Sequence, residues 1–256
     1  MKRLLTALVL IPTISYFVIW APFWAFAIVL TAIAMLCYRE YDTFVANHGI
    51  APPGWIGYLV GLAILHGPHP HICYVLGALL FLALSLRSDD LKQALPRAGA
   101  GVLGLLYTFG TWRTGMELRA ADPWWLFFAC ALNWVGDSAA YYVGRAIGKR
   151  KLAPVVSPGK SWEGAIASVV GSMAFGALVM PQFLPAVPAW KFLLLAGVAN
   201  VAGQVGDLCE SAMKRGAGMK DSSNLLPGHG GWLDRVDSSL FAMPVVFLLK
   251  EWLVGG

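Results

Sequence analysis

The sequence predicts an all-α, polytopic integral membrane protein with about nine transmembrane helices, and three observations carry that class. Of its 256 residues 58% are hydrophobic and only 13% charged, with a mean hydropathy of +0.64, outside the range of soluble domains. The apolar residues fall into stretches, most of them close to the roughly 20 residues that a bilayer core requires. The basic residues gather in alternate connecting segments, as the positive-inside rule demands.

The stretches lie at 4–20, 21–38, 55–66, 71–86, 98–112, 123–147, 161–181, 189–213 and 238–254. The first, in MKRLLTALVLIPTISYFVIWAP, has the basic start of a signal peptide. Its apolar run is long, however, and a second run follows at once, so it is read as an uncleaved first helix. The pair 55–66 and 71–86 is parted by the turn-like HGPHP and forms one span or two. With the N-terminus inside, only Arg113, Arg119, Lys191 and Lys250 of the nineteen Lys and Arg fall outside, which leaves fifteen inside. The net charge of +5 therefore needs no nucleic acid, since an anionic inner leaflet or an anionic substrate accounts for it. Seams at Pro52-Pro53 and at KRKLAPVVSPGK separate helical groups, and the chain divides into N-terminal membrane helices over 1–120 and a region carrying the chemistry over 121–256. Cys37, Cys73, Cys130 and Cys209 are scattered without metal-ligand spacing and read as packing residues. His66, His69 and His71 fall on the outer side, far from any acid.

In the sixth stretch Asn133, Asp137, Tyr141 and Arg145 recur every four residues and share one helix face. Gly136, Ala140, Gly144 and Gly148 form a second stripe for close helix approach. The eighth stretch repeats the pattern with Asn200, Gln204, Asp207 and Ser211 beside Gly203 and Gly206. An acid inside a membrane costs roughly 2.5–3.5 kcal/mol on insertion scales and is functional by default. At 1.5 Å per residue Asp137 lies about 21 Å past Pro123 and Asp207 about 27 Å past Ala189, which places both in the cytoplasmic half.

The segment KDSSNLLPGHGGWLDRVD, Lys220 to Asp237, holds five ionised side chains in eighteen residues. Its LPGHGG core is expected to form a tight loop, with glycines at positive φ and backbone amides able to approach an anion. Asp234 and Asp237 sit three apart on one face of the last helix. Either would complement a helix N-terminus, but together with Asp207, and with Asp221 in the same loop, they make an oxygen-ligand cluster suited to Mg²⁺. Lys160, Lys214, Arg215 and Lys220 surround the acids with charge suited to phosphates. Gly159-Lys160-Ser161 mimics the end of a Walker A motif, but the first Gly would be Pro154 and no strand is expected before it, so a P-loop is rejected. His229 reads equally as a hydrogen-bond donor or a base.

The run from Ser211 to Asp221 followed by Leu226-Pro-Gly-His-Gly-Gly-Trp-Leu-Asp-Arg-Val-Asp237 resembles the signature of the CDP-diacylglycerol synthase (phosphatidate cytidylyltransferase) family. Gly136 to Arg145 and Ser157 to Gly164 are similar to a second recurring region of that family, and the close resemblance covers about 133–239. It implies transfer of the cytidylyl group from CTP to phosphatidate, with Mg²⁺ and a second cation such as K⁺, at the cytoplasmic face of a bacterial inner membrane, in a chain that can pair as a homodimer. On that reading Asp207, Asp234 and Asp237 hold metal, and Lys160, Lys220, Asp221 and Arg235 serve the transfer. Asn133, Asp137, Tyr141, Ser157, Lys214, Arg215 and His229 line the substrate cleft. A polyprenol-directed nucleotidyl or phosphoryl transferase is the alternative within enzymes. A transporter is disfavoured because charge collects at one face and no repeat is visible.

Overall fold

The computed structural model describes residues 2–87, 90–226, 228 and 230–255, with side chains from Ile11 onward. His229 of the expected substrate set lies outside the described residues. The chain is a helical membrane protein. Its helices are α1 (Lys2–Ile19), α2 (Phe23–Asn47), α3 (Trp55–His66), α4 (Pro70–Ser85), α5 (Ala94–Gly104), α6 (Thr111–Ala121), α7 (Pro123–Ile147), α8 (Trp162–Val179), α9 (Ala189–Gly216) and α10 (Leu233–Leu253). A π-helical turn, Leu105–Gly110, joins α5 to α6, and short 3₁₀ turns occupy Leu91–Gln93 and Met180–Gln182. Helix covers each of the nine apolar stretches. Among the described residues three segments, Phe23–Asn47, Trp162–Gln182 and Ala189–Gly216, are long and apolar enough on their own to cross a membrane. Leucines such as Leu79 and Leu82 stand exposed, as they do on helix faces solvated by lipid.

Several boundaries differ from the sequence reading. α2 runs past residue 38 to Asn47 and carries Arg39, Glu40 and Asp42 in its last turns. The fifth stretch continues through the π turn into α6, where Thr108 and Thr111 hydroxyls donate to the carbonyls of Gly104 and Tyr107, both at 2.7 Å. The seam after α7 is not strandless: β1 (Lys151–Ala153) pairs antiparallel with β2 (Ser157–Ser161), Lys151 opposite Ser161. Lys160 therefore projects from a strand, and Pro154 still excludes a P-loop.

The chain forms two compact units. One comprises 1–11, 22–113 and 213–235, the other 12–21, 114–212 and 236–256. The first takes in 213–235, which the sequence reading grouped with the C-terminal half, because α2 supplies the hydrogen-bond acceptors for that segment. In this unit aromatic rings fill the space left by missing side chains: Tyr38 lies on Gly57, Phe109 on Gly61, Phe81 on Gly101 and Tyr41 on Gly104. The Tyr41 hydroxyl donates to the Ala100 carbonyl at 2.8 Å.

In the second unit α7 packs along α8. Asp122 caps α7 by accepting from the Trp124 amide at 2.9 Å, with Pro123 at the first helical position, where no N–H is needed. Ser161 caps α8 by accepting from Gly164 at 3.2 Å. The glycine stripe on α7 is consumed inside this unit. A Cβ at Gly136 would come within 2.5 Å of Asn200 Nδ2, 2.6 Å of Ser168 Oγ and 2.7 Å of Ser172 Oγ. Gly144 and Gly148 lie against Ser161 and Gly164 in the same way. The stripe is thus used, at Gly136 and Gly144, as a seam between helices of one chain.

Candidate active site

The polar stripe of α7, the cap of α8 and the stripe of α9 converge in the second unit on a cleft of about 380 Å³, lined by Asp137, Tyr141, Arg145, Lys160, Gln204 and Asp207 among others. Spacing of four puts Asp137, Tyr141 and Arg145 on successive turns of α7, and the Arg145 guanidinium donates to the Tyr141 hydroxyl at 2.9 Å. β2 delivers Lys160, whose ammonium is ion-paired with Asp207 Oδ2. Both side chains remain about 28–29% exposed, so the pair faces the cleft. The other Asp207 oxygen accepts from Ser211 at 3.4 Å. Beneath, Gln204 donates to Asn200 Oδ1 at 2.8 Å and to the Ala165 carbonyl at 3.1 Å, while Asn200 donates to Ser168 at 3.1 Å. This buried amide ladder fixes α9 against α8 and sets the height of Asp207. A concave site with two carboxylates, a lysine and an arginine suits a polyphosphate, with or without a hard cation.

The other expected residues have different settings. Asn133 is buried on α7, donates to the Ala129 carbonyl at 3.0 Å and packs on Gly203; it does not line the cleft. Ser157 sits half-buried on β2 opposite Ala153. Asp237 accepts the Ser238 amide at 2.7 Å, and its backbone carbonyl crosses Gly206, where a Cβ would approach to 2.7 Å. That crossing brings α10 to the turn of α9 that carries Asp207.

Lys214, Asp234 and the glycine loop belong to the first unit, and their chemistry is internal. Gly228 and Gly230 have φ of 78° and 77°, and Leu226 donates to Gly230 at 2.8 Å, closing the tight loop. Its amides do approach anions, but the anions are two buried carboxylates of the protein. Glu40, 2% exposed, accepts the amides of Trp232 at 3.1 Å and Leu233 at 2.8 Å and the hydroxyls of Ser222 at 2.8 Å and Ser223 at 2.6 Å. Asp234 accepts the amides of Ser222 at 2.7 Å and Gly231 at 2.8 Å, the Ser222 hydroxyl at 2.8 Å and the Lys214 ammonium. The first amides of α10 thus receive charged acceptors where a helix start needs them. A side chain at Gly231 would strike Ser222 Oγ and both Glu40 oxygens. Burial alone would raise the Asp234 carboxyl, but Lys214 and the bonds from Gly231 and Ser222 outweigh it and hold it below the ordinary carboxylate value.

Both Asp234 oxygens are therefore engaged, as both Asp207 oxygens are by Lys160 and Ser211. Among the described residues no group of three or more His, Cys, Asp or Glu gathers as a metal cage. Arg215, exposed, donates to the Met219 carbonyl at 2.9 Å, and Lys220, Asp221 and Arg235 are exposed on the first unit. Glu40 is the residue that the sequence reading did not single out.

A model of the cytidylyltransferase family matches residues 1–253. Among curated proteins the chain is similar to the phosphatidate cytidylyltransferase of Bacillus subtilis, at 43% identity over 137 residues, 52% of this chain and 51% of that one. It is 36% identical to that of Pseudomonas aeruginosa over 273 aligned positions, covering 99% and 97%, and 34% identical to that of Brucella suis over 255, covering 96% and 91%.

Proposed function

The chain belongs to the cytidylyltransferase family, and from that premise and the Lys160–Asp207 cleft we infer that it transfers the cytidylyl group of CTP to phosphatidate, giving CDP-diacylglycerol and pyrophosphate. A phosphate oxygen of phosphatidate attacks the α-phosphorus of CTP, the bond from that phosphorus to the bridging oxygen breaks, and pyrophosphate leaves. The nucleophile is already anionic, so the chain must position the reactants and offset charge rather than supply a base. Lys160 on β2 and Arg145 on α7 offer cations to the polyphosphate. Asp207 holds the Lys160 ammonium at the cleft and keeps it from swinging into solvent. The carboxylates of Asp137 and Asp207 fit the one or two that Mg²⁺ takes when phosphates complete its shell, and Asp237 stays in the proposed set through its place over Gly206. Mg²⁺ bound there would neutralise charge on the departing pyrophosphate. A second cation such as K⁺ is proposed on the resemblance alone.

The proposed setting is a bacterial inner membrane crossed about nine times, with the N-terminus and cleft on the cytoplasmic side. Helix over every apolar stretch and the fifteen-to-four division of Lys and Arg support it. The observation that carries the reaction is the partly exposed Lys160–Asp207 pair sharing one cleft with Asp137 and Arg145. Purified protein given CTP labelled in the cytidine, Mg²⁺ and phosphatidate should yield a labelled lipid and free pyrophosphate, and a polyprenol phosphate in place of phosphatidate should yield none. Labelled product from the polyprenol alone would replace the reading with its alternative.

A further inference from the structure

The hairpin between α7 and α8 exposes a pattern that the cleft does not use. One side of it belongs to the site: Leu152, Gly159 and Lys160 form a wall of the cleft. The rest points away. Val155 at the tip is 90% exposed and Pro154 beside it is exposed, while Lys149, Arg150 and Lys151 at its base are all exposed. None of the three cations forms an ion pair among the described residues. The nearby acid, Glu163, accepts from the backbone amides of Lys149 at 3.1 Å and Arg150 at 3.3 Å and feels the Arg150 charge without closing a salt bridge, so it shapes the hairpin and leaves Lys149 and Lys151 exposed. Trp162, 54% exposed, follows β2 directly at the start of α8, a helix long and apolar enough to cross a membrane. Tryptophan at that position marks the membrane–water boundary. The tip is seven residues before Trp162 and so, at about 3.3 Å per residue, within about 23 Å of it, a reach that takes in the headgroup layer.

We propose that the β1–β2 hairpin docks on the anionic headgroups of the surrounding bilayer, with Val155 entering the interface and Lys149, Arg150 and Lys151 binding the acidic lipids. Charge complementarity selects the occupant: three exposed cations beside an apolar tip match an acidic lipid surface, and each cation near such a surface strengthens partitioning by about fivefold. Docking would hold the cleft wall that carries Lys160 at the level where an acidic lipid is concentrated. The inference rests on the membrane fold, and its test reads the environment of the hairpin rather than turnover, so it stands or falls apart from the proposed reaction.

Full-length protein carrying Val155→Cys, with the four native cysteines replaced, is labelled with an environment-sensitive fluorophore and reconstituted in vesicles of phosphatidylcholine alone or with a third phosphatidylglycerol. In the acidic vesicles the emission should shift to the blue, become quenchable by a lipid-borne quencher, and return toward the aqueous value in high salt. The variant with Lys149→Gln, Arg150→Gln and Lys151→Gln should lose most of the shift while keeping its activity in detergent. An aqueous emission in both vesicles, or an equal shift in both, overturns the proposal. If the cysteine-free protein does not fold, hydrogen exchange at 152–156 of the unlabelled protein decides: slower exchange only in acidic vesicles supports docking, and equal exchange refutes it.

Discussion

Lys160 and Asp207 hold each other in the cleft proposed for the triphosphate, so on that reading each masks part of the other's charge until substrate arrives. Lys160→Met should cut turnover about a hundredfold, the scale of one lost electrostatic contact in a transition state, and Lys160→Arg should restore only part of it, because a planar guanidinium does not replace a compact ammonium. Combined with Asp207→Asn the losses should fall short of additive, because the residues touch; additive losses in steady-state assays would show that the two act separately. Glu40 calls for a different measurement. Glu40→Ala leaves the buried amides of Trp232 and Leu233 without acceptors, at about 1–3 kcal/mol each, and should lower the thermal midpoint in detergent. Asp234 adds a pH signature. Its folded pKa lies below the ordinary 3.8, so its stabilisation is complete above that value and is lost as pH falls through the lower folded one. Melting temperature should therefore drop more steeply below about pH 4 in the wild type than in Asp234→Asn. Asp137, Tyr141 and Arg145 were legible because they recur every four residues on one helix, and Gln204 and Asp207 because they share a face of another, whereas Lys160 stood out only by its charge in the SPGK segment. Glu40 was not, because an acid near the end of an apolar helix carries no local sign of partners 182 to 193 positions away.

Among the elements, α7 shows how close approach and chemistry divide one helix. Gly136 lies where a methyl would meet Asn200, Ser168 and Ser172 within 2.7 Å, and Asn200 and Ser168 belong to the amide ladder that sets Asp207. Gly136→Ala should destabilise the protein by about 1–3 kcal/mol through overpacking and lower activity with it. Ala139→Gly on the same helix should lower activity far less; equal losses in melting and turnover assays would mean that the contact at Gly136 is not special. Pattern reading found the helices because their apolar runs are long. It missed the hairpin because strands of three and five residues, one holding Pro158 and Gly159, show no alternation. It also cut α2 short at Arg39, where charge signals a loop unless a buried partner keeps the helix going.

At the scale of the whole molecule, helix count and charge asymmetry lead to a sidedness that one label can check. Leu225 is 47% exposed in the charged loop, and Leu225→Cys in a cysteine-free background should react with an impermeant thiol reagent from the cytoplasmic side of oriented vesicles; labelling from the opposite side would invert the proposed topology. The grouping of 213–235 with the N-terminal helices was beyond any reading of local pattern, since it depends on acceptors that α2 holds for residues far along the chain. That dependence has an order in time. During synthesis α2 emerges with Glu40 while Ser222, Ser223, Trp232 and Leu233 are still untranslated, so that carboxylate waits for its donors until about the last seventh of the chain follows. A chain truncated before Ser222 never receives those donors, so the C-terminal end of its α2 stays unfinished even though every residue of that helix is present.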